Sequence, residues 1–199
     1  MLERVAVAIT AVLLVLAGVS LYLQLENDEA PREELPVNQQ LGGTLELTSH
    51  EGEDFTTESL HGNVVLKFFG FTHCPDYCPA TMAKLAGVYE ALEESGEADR
   101  VDVVFVTFDP KRDTPEHLAD YLNWFHEDFI GLTGSPEEIE KAAEQYGVVY
   151  MQQEAQGAEG YDFAHTDYVY LLDDQGRVRK LFPANPDVEE VIDDVRSLL

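Results

Sequence analysis

From Leu41 onward the chain alternates apolar runs with stretches whose apolar residues recur every three to four positions. Val64 to Gly70 and Val101 to Phe108 are nearly continuous apolar runs, as expected of strands covered on both faces. Gly43 to Thr48, Phe129 to Thr133 and Val148 to Gln152 predict shorter strands. Tyr168 to Leu172 and Val178 to Phe182 flank Asp173-Asp174-Gln175-Gly176, a hairpin turn signal. Helical spacing appears four times. Met82, Leu85, Ala86, Tyr89 and Leu92 mark the first helix, and Leu118, Tyr121, Leu122 and Phe125 the second. The third buries Ile139, Ala142, Ala143 and Tyr146, and the last Val188, Val191, Ile192 and Val195. Thr114-Pro115 and Ser135-Pro136-Glu137-Glu138 start the second and third, each with a capping hydroxyl and a proline in the first turn, and Gly147 stops the third. Gln153 to Gly160 reads as a polar surface loop, and no internal repeat is present.

The predicted order is β-β-α-β-α-β-α-β-β-β-α, an α/β sheet with helices on its faces. A cysteine pair at the first long strand-helix junction, with a terminal hairpin and helix, is the thioredoxin-like arrangement. The assigned domain is residues 41–199.

Before it, Val5 to Leu25 is a run of 21 residues without a charge, long enough to cross a bilayer core of about 30 Å. A cleaved signal peptide is the rival reading, but the run is longer than a usual signal core and no clean A-x-A site follows. Leu16-Ala17-Gly18-Val19 looks like a lipoprotein box but has Val19 where that box needs Cys. Residues 1–25 are therefore assigned as a transmembrane helix. Arg4 ahead of the span and Glu26, Asp28 and Glu29 behind it place the following domain on the exterior side of the cell membrane. Residues 26–40, acidic and with two prolines, form a tether.

Charge narrows the partners. The 39 acidic and 12 basic residues give a formal net charge of −27, which opposes binding to nucleic acid or to an anionic membrane surface. The acids are spread along the chain and lysine occurs five times, so salt adaptation (a halophilic surface) explains the excess better than one basic partner.

The chemistry is concentrated in Phe68-Phe69-Gly70-Phe71-Thr72-His73-Cys74-Pro75-Asp76-Tyr77-Cys78-Pro79, which holds both cysteines of the chain. Thiols in C-x3-C spacing can close a disulfide or offer two soft sulfurs to one metal ion. With Asp76 as N-cap, Cys74 precedes the helix and Cys78 lies in its first turn, where the helix N-terminus lowers both thiol pKa values. Two thiolates call for a third ligand. His165, just before the strand Tyr168 to Leu172, is the best candidate, because that segment faces the redox cysteines in thioredoxin-like folds. No proline stands there, so thioredoxin's cis-proline is missing. A Cys-Cys-His set suits Cu(I) by softness and Cu(II) by thiolate plus imidazole. His73 tunes thiol acidity or points away, and Met82 belongs to the core. His50, His61, His117 and His126 are assigned to the surface. Asp109, Lys111 and Arg112 end a neighbouring strand, where they shape the pocket or cap a turn.

Four ordered motifs carry a wider resemblance: residues 68–79 above, Val106-Thr-Phe-Asp-Pro-Lys-Arg-Asp-Thr-Pro115, Gly131-Leu-Thr-Gly-Ser-Pro-Glu-Glu-Ile139 and Asp162-Phe-Ala-His-Thr-Asp-Tyr-Val-Tyr-Leu-Leu-Asp173. From Gly42 to Leu199 the chain resembles the Sco (SenC/PrrC) family. The resemblance implies copper binding by Cys74, Cys78 and His165, and assembly of the CuA centre of cytochrome c oxidase. The implied partners are the CuA-bearing subunit of that oxidase and another copper chaperone or a thiol reductase. Phe71, where Tyr is common in the family, and Tyr77, where Val is common, remove no ligand.

Two functions compete for the same thiols. One is a copper chaperone, which is not an enzyme. The alternative is a thiol-disulfide reductase that keeps a copper acceptor's cysteines reduced, with Cys74 and Cys78 as the catalytic pair. C-x3-C spacing and His165 favour metal, since a dedicated reductase more often shows C-x-x-C with cis-proline. The absence of P-x-x-x-T-x-x-C around either cysteine argues against a peroxidase.

Overall fold

The computed structural model describes residues 13–20, 35–154 and 160–199. Residues 13–20 are helical. The rest of the segment assigned as a membrane span lies outside the described residues, and among those described no helix is long and apolar enough to cross a membrane. Leu35–Leu199 form a separate compact unit.

In chain order the unit contains β1 (Glu46–Ser49), β2 (Asp54–Thr56), β3 (Val64–Gly70), α1 (Tyr77–Glu94), β4 (Val101–Thr107), α2 (Pro115–Leu122), β5 (Ile130–Thr133) and α3 (Pro136–Tyr146). Then follow β6 (Tyr150–Glu154), β7 (Tyr161–His165), β8 (Tyr168–Leu172), β9 (Val178–Pro183) and α4 (Val188–Arg196). Seven strands form one sheet in the order β2-β1-β5-β4-β3-β8-β9. β3, β4 and β5 run parallel at its centre, while β8 and β9 continue it antiparallel. This is the mixed α/β, thioredoxin-like architecture that the order of apolar runs predicts.

All of β3 is buried because helices cover both faces of the sheet. Phe68 and Gly70 face α1 and α2, with Phe68 against Phe105 and Phe105 against Tyr121. Lys67 and Phe69 face the other way, onto Tyr146 at the end of α3. Each aliphatic or phenyl side chain buried this way contributes about 1.5–3 kcal/mol.

Strand register sets where the loops meet. Gly70 lies opposite Thr107, so the segments leaving β3 and β4 emerge side by side at one sheet edge. β8 runs antiparallel to β3, with Phe68 opposite Val169, so the residues entering β8 arrive at that same edge. Loops at the carboxyl ends of parallel strands are where α/β sheets place ligands.

Local signals hold at the predicted caps. Thr114 accepts from the His117 N–H, Ser135 and Glu138 form a reciprocal capping box, and Gly147 takes the left-handed conformation at φ 65°. Met82 is in the core. The structure differs at β6 and β7, which pair as a separate two-stranded sheet, His165 opposite Tyr150. Tyr161 to His165 is a strand that the apolar pattern does not predict, and β6 runs to Glu154, into the predicted Gln153–Gly160 loop, instead of ending at Gln152. Tyr161, Phe163 and His165 alternate rings with small or polar residues, a period-two signal masked by the polar stretch ahead of it. β2, only three residues long, left no pattern of its own.

Two predictions follow from β3. A Cβ at Gly70 would stand 2.9 Å from Phe105 Cε2 and 3.0 Å from Cys78 Sγ. Gly70→Ala should therefore destabilise the fold by about 1–3 kcal/mol through overpacking, read as a lowered denaturation midpoint. Lys67 is fully buried, with its Nζ 2.6 Å from the Tyr146 hydroxyl, and burial pushes its pKa down from 10.5 to about 7. Between those values the unfolded chain binds the extra proton, so this group makes stability rise with pH. Relative to Lys67→Met, the wild type should gain stability as pH is raised from about 7 towards 10.5. A pH-independent difference between the two would contradict the assignment.

Candidate metal centre

The first turn of α1 is capped by sulfur. Asp76 occupies the N-cap position but, at φ −142° and ψ −72°, its side chain makes no capping bond. The Cys78 N–H instead donates to Cys74 Sγ at 3.4 Å. Pro79, next in the turn, has no N–H to compete. Cys74 is partly exposed and Cys78 is buried, and both thiols are free. The sequence suggested two acidified thiols, but the structure separates them. The hydrogen bond with Cys78 holds the Cys74 pKa down at about 4 against the opposing effect of burial, with help from His165 and the backbone N–H groups of Cys78 and Asp76. Cys78 is pushed up from 9.0, first by its hydrogen bond with the Cys74 thiolate and then by burial. One sulfur is ionised and the other carries the shared proton.

His165 ends β7, a half-buried residue whose side chain is nearly closed off from solvent. Its Nε2 lies 3.9 Å from Cys78 Sγ. An ion with bonds of about 2.3 Å to sulfur and 2.0 Å to nitrogen would set these atoms about 3.6 Å apart, so a small adjustment suffices. Nδ1 is 3.0 Å from the Thr166 carbonyl, which can only accept, so Nδ1 carries a proton and Nε2 is the ring nitrogen turned to the thiols. Asp167 Oδ1 is 2.8 Å from Nδ1 but is buried without a hydrogen bond, so the carbonyl takes the proton and the carboxylate supplies charge. Burial opposes protonation of His165. The Cys74 thiolate, Thr166 and Asp167 outweigh it, and its pKa is raised. Sequence reasoning missed Asp167, and its spacing two residues after the histidine was the available signal.

An aromatic wall fixes the imidazole. The Phe108 and Phe71 rings lie 4.8 and 5.9 Å from it, and Phe163 packs on both. Asp109 and Arg112 hold the wall from the β4 loop. Asp109, buried, accepts from the Tyr161 hydroxyl at 2.7 Å and pairs with Arg112. Arg112 donates to the Tyr161 carbonyl at 2.9 Å and stacks 3.8 Å from that ring. These two residues thus position β7, and with it His165. Lys111 stands farther out, 5.8 Å from the Tyr161 ring.

His73 is exposed and turns towards Asp113 and His117. His61 and His117 are exposed, as expected. His50 and His126 are partly buried, because His50 Nδ1 accepts from the Gly131 N–H and His126 contacts Glu93. A cavity of about 550 Å³, lined among others by Lys67, Tyr146 and His61, includes none of Cys74, Cys78 or His165 in its walls. A bound ion needs converging donors rather than volume.

Comparison with known proteins gives one picture. The family model described as SCO1/SenC matches residues 33–199. The SCO2-like protein of Rickettsia conorii is 36% identical over 163 residues, covering 80% of this chain and 78% of the relative. The solved structure of Bradyrhizobium japonicum ScoI with copper bound is 36% identical, with a TM-score of 0.73, over 80% of this chain and 99% of that one. Arabidopsis thaliana ScoI with copper bound is 37% identical, also with a TM-score of 0.73, over 79% of this chain and 97% of that one. With four ordered motifs, a matching fold and a family match across the whole compact unit, the chain belongs to the SCO1/SenC family.

Proposed function

We propose that this protein is a copper chaperone in which Cys74, Cys78 and His165 hold the ion. The observation that carries the reading is the convergence of an ionised Cys74 sulfur, the Cys78 sulfur and His165 Nε2, 3.9 Å from Cys78 Sγ, with the ring held through Nδ1 by the Thr166 carbonyl. Two sulfurs and one imidazole suit Cu(I), and solved relatives hold copper. The Cys78 proton leaves as the metal binds, since metal competes with protons for thiolate. The partly exposed Cys74 is the sulfur an acceptor's ligand reaches first, so transfer proceeds by ligand exchange from that side. The acceptor is the CuA-bearing subunit of cytochrome c oxidase. Residues 1–25 anchor the protein in the cell membrane, with the copper-binding unit on the exterior side.

One observation favours the reductase as a second reading. An acidic, accessible thiol beside a buried, protonated one is the arrangement of an attacking and a resolving cysteine. Copper and disulfide exclude each other, because oxidation consumes both thiolates.

Anaerobic titration of the reduced protein with Cu(I) against a competing chelator separates the readings. One tight equivalent is expected, weakened more than about ten-fold in Cys74→Ser and in His165→Ala. His165→Ala should still close the Cys74–Cys78 disulfide, whereas Cys78→Ser should lose both activities. Unchanged copper affinity in His165→Ala would refute the ligand assignment. No competitive binding, with rapid exchange onto a thiol substrate, would assign the reductase.

A further inference from the structure

A second set of metal-ligand side chains stands one residue from Cys74 and is not used by the thiolate site. His73, from the turn after β3, Asp113, from the turn after β4, and His117, in the first turn of α2, bring their ligand atoms within 4.8 Å of one another. Thr72 Oγ1 joins them, 2.6 Å from Asp113 Oδ1, 3.0 Å from His73 Nδ1 and 2.9 Å from His117 Nε2. His73 Nδ1 is 3.6 Å from Asp113 Oδ1. A tetrahedral ion with bonds of about 2.0–2.1 Å sets its ligand atoms about 3.3 Å apart. The separations here bracket that value, and the four atoms come from three segments held by the sheet register.

Charge makes the arrangement more than a surface cluster. Asp113 is fully buried, with no Lys or Arg paired to it among the described residues. It accepts from the Thr72 N–H at 3.0 Å, the Thr72 hydroxyl at 2.6 Å and the Thr107 hydroxyl at 2.5 Å, all neutral donors. Burying a carboxylate without a cation is costly. Among the described residues, the imidazoles of His73 and His117 are the cation-capable groups clustered with it, both open to solvent on the outer side. The Thr72 hydroxyl gives its proton to Asp113, so the two imidazoles donate N–H to Thr72 Oγ1, and an ion binding there displaces those protons to reach the nitrogens.

We propose that His73, Asp113 and His117 form a second metal site, for a divalent ion of borderline softness such as Zn(II) or Cu(II), with Thr72 Oγ1 or water in the fourth position. Imidazole and carboxylate suit these divalent ions, whereas thiolates select Cu(I). The two sites therefore differ for Cu(I), which the thiolate set favours and this sulfur-free set does not.

The test uses the full chain carrying Cys74→Ser and Cys78→Ser, at high salt to screen the acidic surface, titrated with Zn²⁺ and separately with Cu²⁺ against a chromophoric chelator. One equivalent is expected, weakened more than about ten-fold by His117→Gln and by His73→Gln. Both side chains are exposed, so neither change threatens folding, and circular dichroism checks it. The Cu²⁺ form should show electron-spin coupling to two imidazole nitrogens, reduced to one in either variant. No bound equivalent, unchanged affinity in both variants, or a site that survives them and disappears in His126→Gln would overturn the proposal. The last outcome would place the ion at Glu93, His126 and Asp128 instead.

Discussion

The hydrogen-bonded pairing of Cys78 with the Cys74 sulfur, through the Cys78 thiol first and its backbone N–H second, sets the chemistry of this protein. A helix must satisfy its first N–H groups, and the usual solution is a side-chain oxygen at the N-cap. Asp76 is in place to provide one and does not, leaving the sulfur as acceptor. The consequence is electrostatic. The hydrogen bond from the Cys78 side chain stabilises thiolate on Cys74, with the backbone N–H groups of Cys78 and Asp76 adding to it, and that same side-chain bond, with burial, keeps Cys78 protonated. A pair with unequal affinities for protons can exchange one proton for one metal ion without exposing two bare charges.

That contact is useful only because the sheet delivers a third donor to it. Parallel β3 and β4 end level with each other, and antiparallel β8 begins where they end. The β4 loop, through Asp109 and Arg112, holds Tyr161, and β7 carries His165 back over the thiols against an aromatic wall. Gly70 is the packing counterpart, because its missing Cβ leaves room for Cys78 Sγ between two phenylalanines. The same convergence brings the β3 and β4 loops together at Asp113, one residue shell outward.

Much of this was legible in the sequence. Continuous apolar runs marked β3 and β4, caps marked α2 and α3, and alternation of strand and helix marked the sheet. Cys74, Cys78 and His165 could be named because cysteine occurs nowhere else and His165 precedes a strand expected beside the thiols. What was hidden depended on distance. The unequal thiols follow from the hydrogen bond between the two side chains and the burial of Cys78, and the sulfur cap from Asp76 leaving its N-cap role, none of which spacing can reveal. Asp167 and the β6–β7 pairing became visible only once β7 folded against Phe71 and Phe108. His117 reads as a solvent-facing helix residue until the β3 loop places Thr72 against it.

The most direct test of the thiolate account is a pH titration of the reduced, metal-free protein, following ultraviolet thiolate absorbance. Cys74 has its folded pKa depressed from 9.0 to about 4, so its ionisation supports the fold fully above the higher value and that support fades as pH falls to the lower one. One equivalent of thiolate should persist on acidification until pH approaches about 4, and should vanish in Cys74→Ser. Loss of all thiolate absorbance just below pH 9.0, as for an ordinary thiol, would contradict the account.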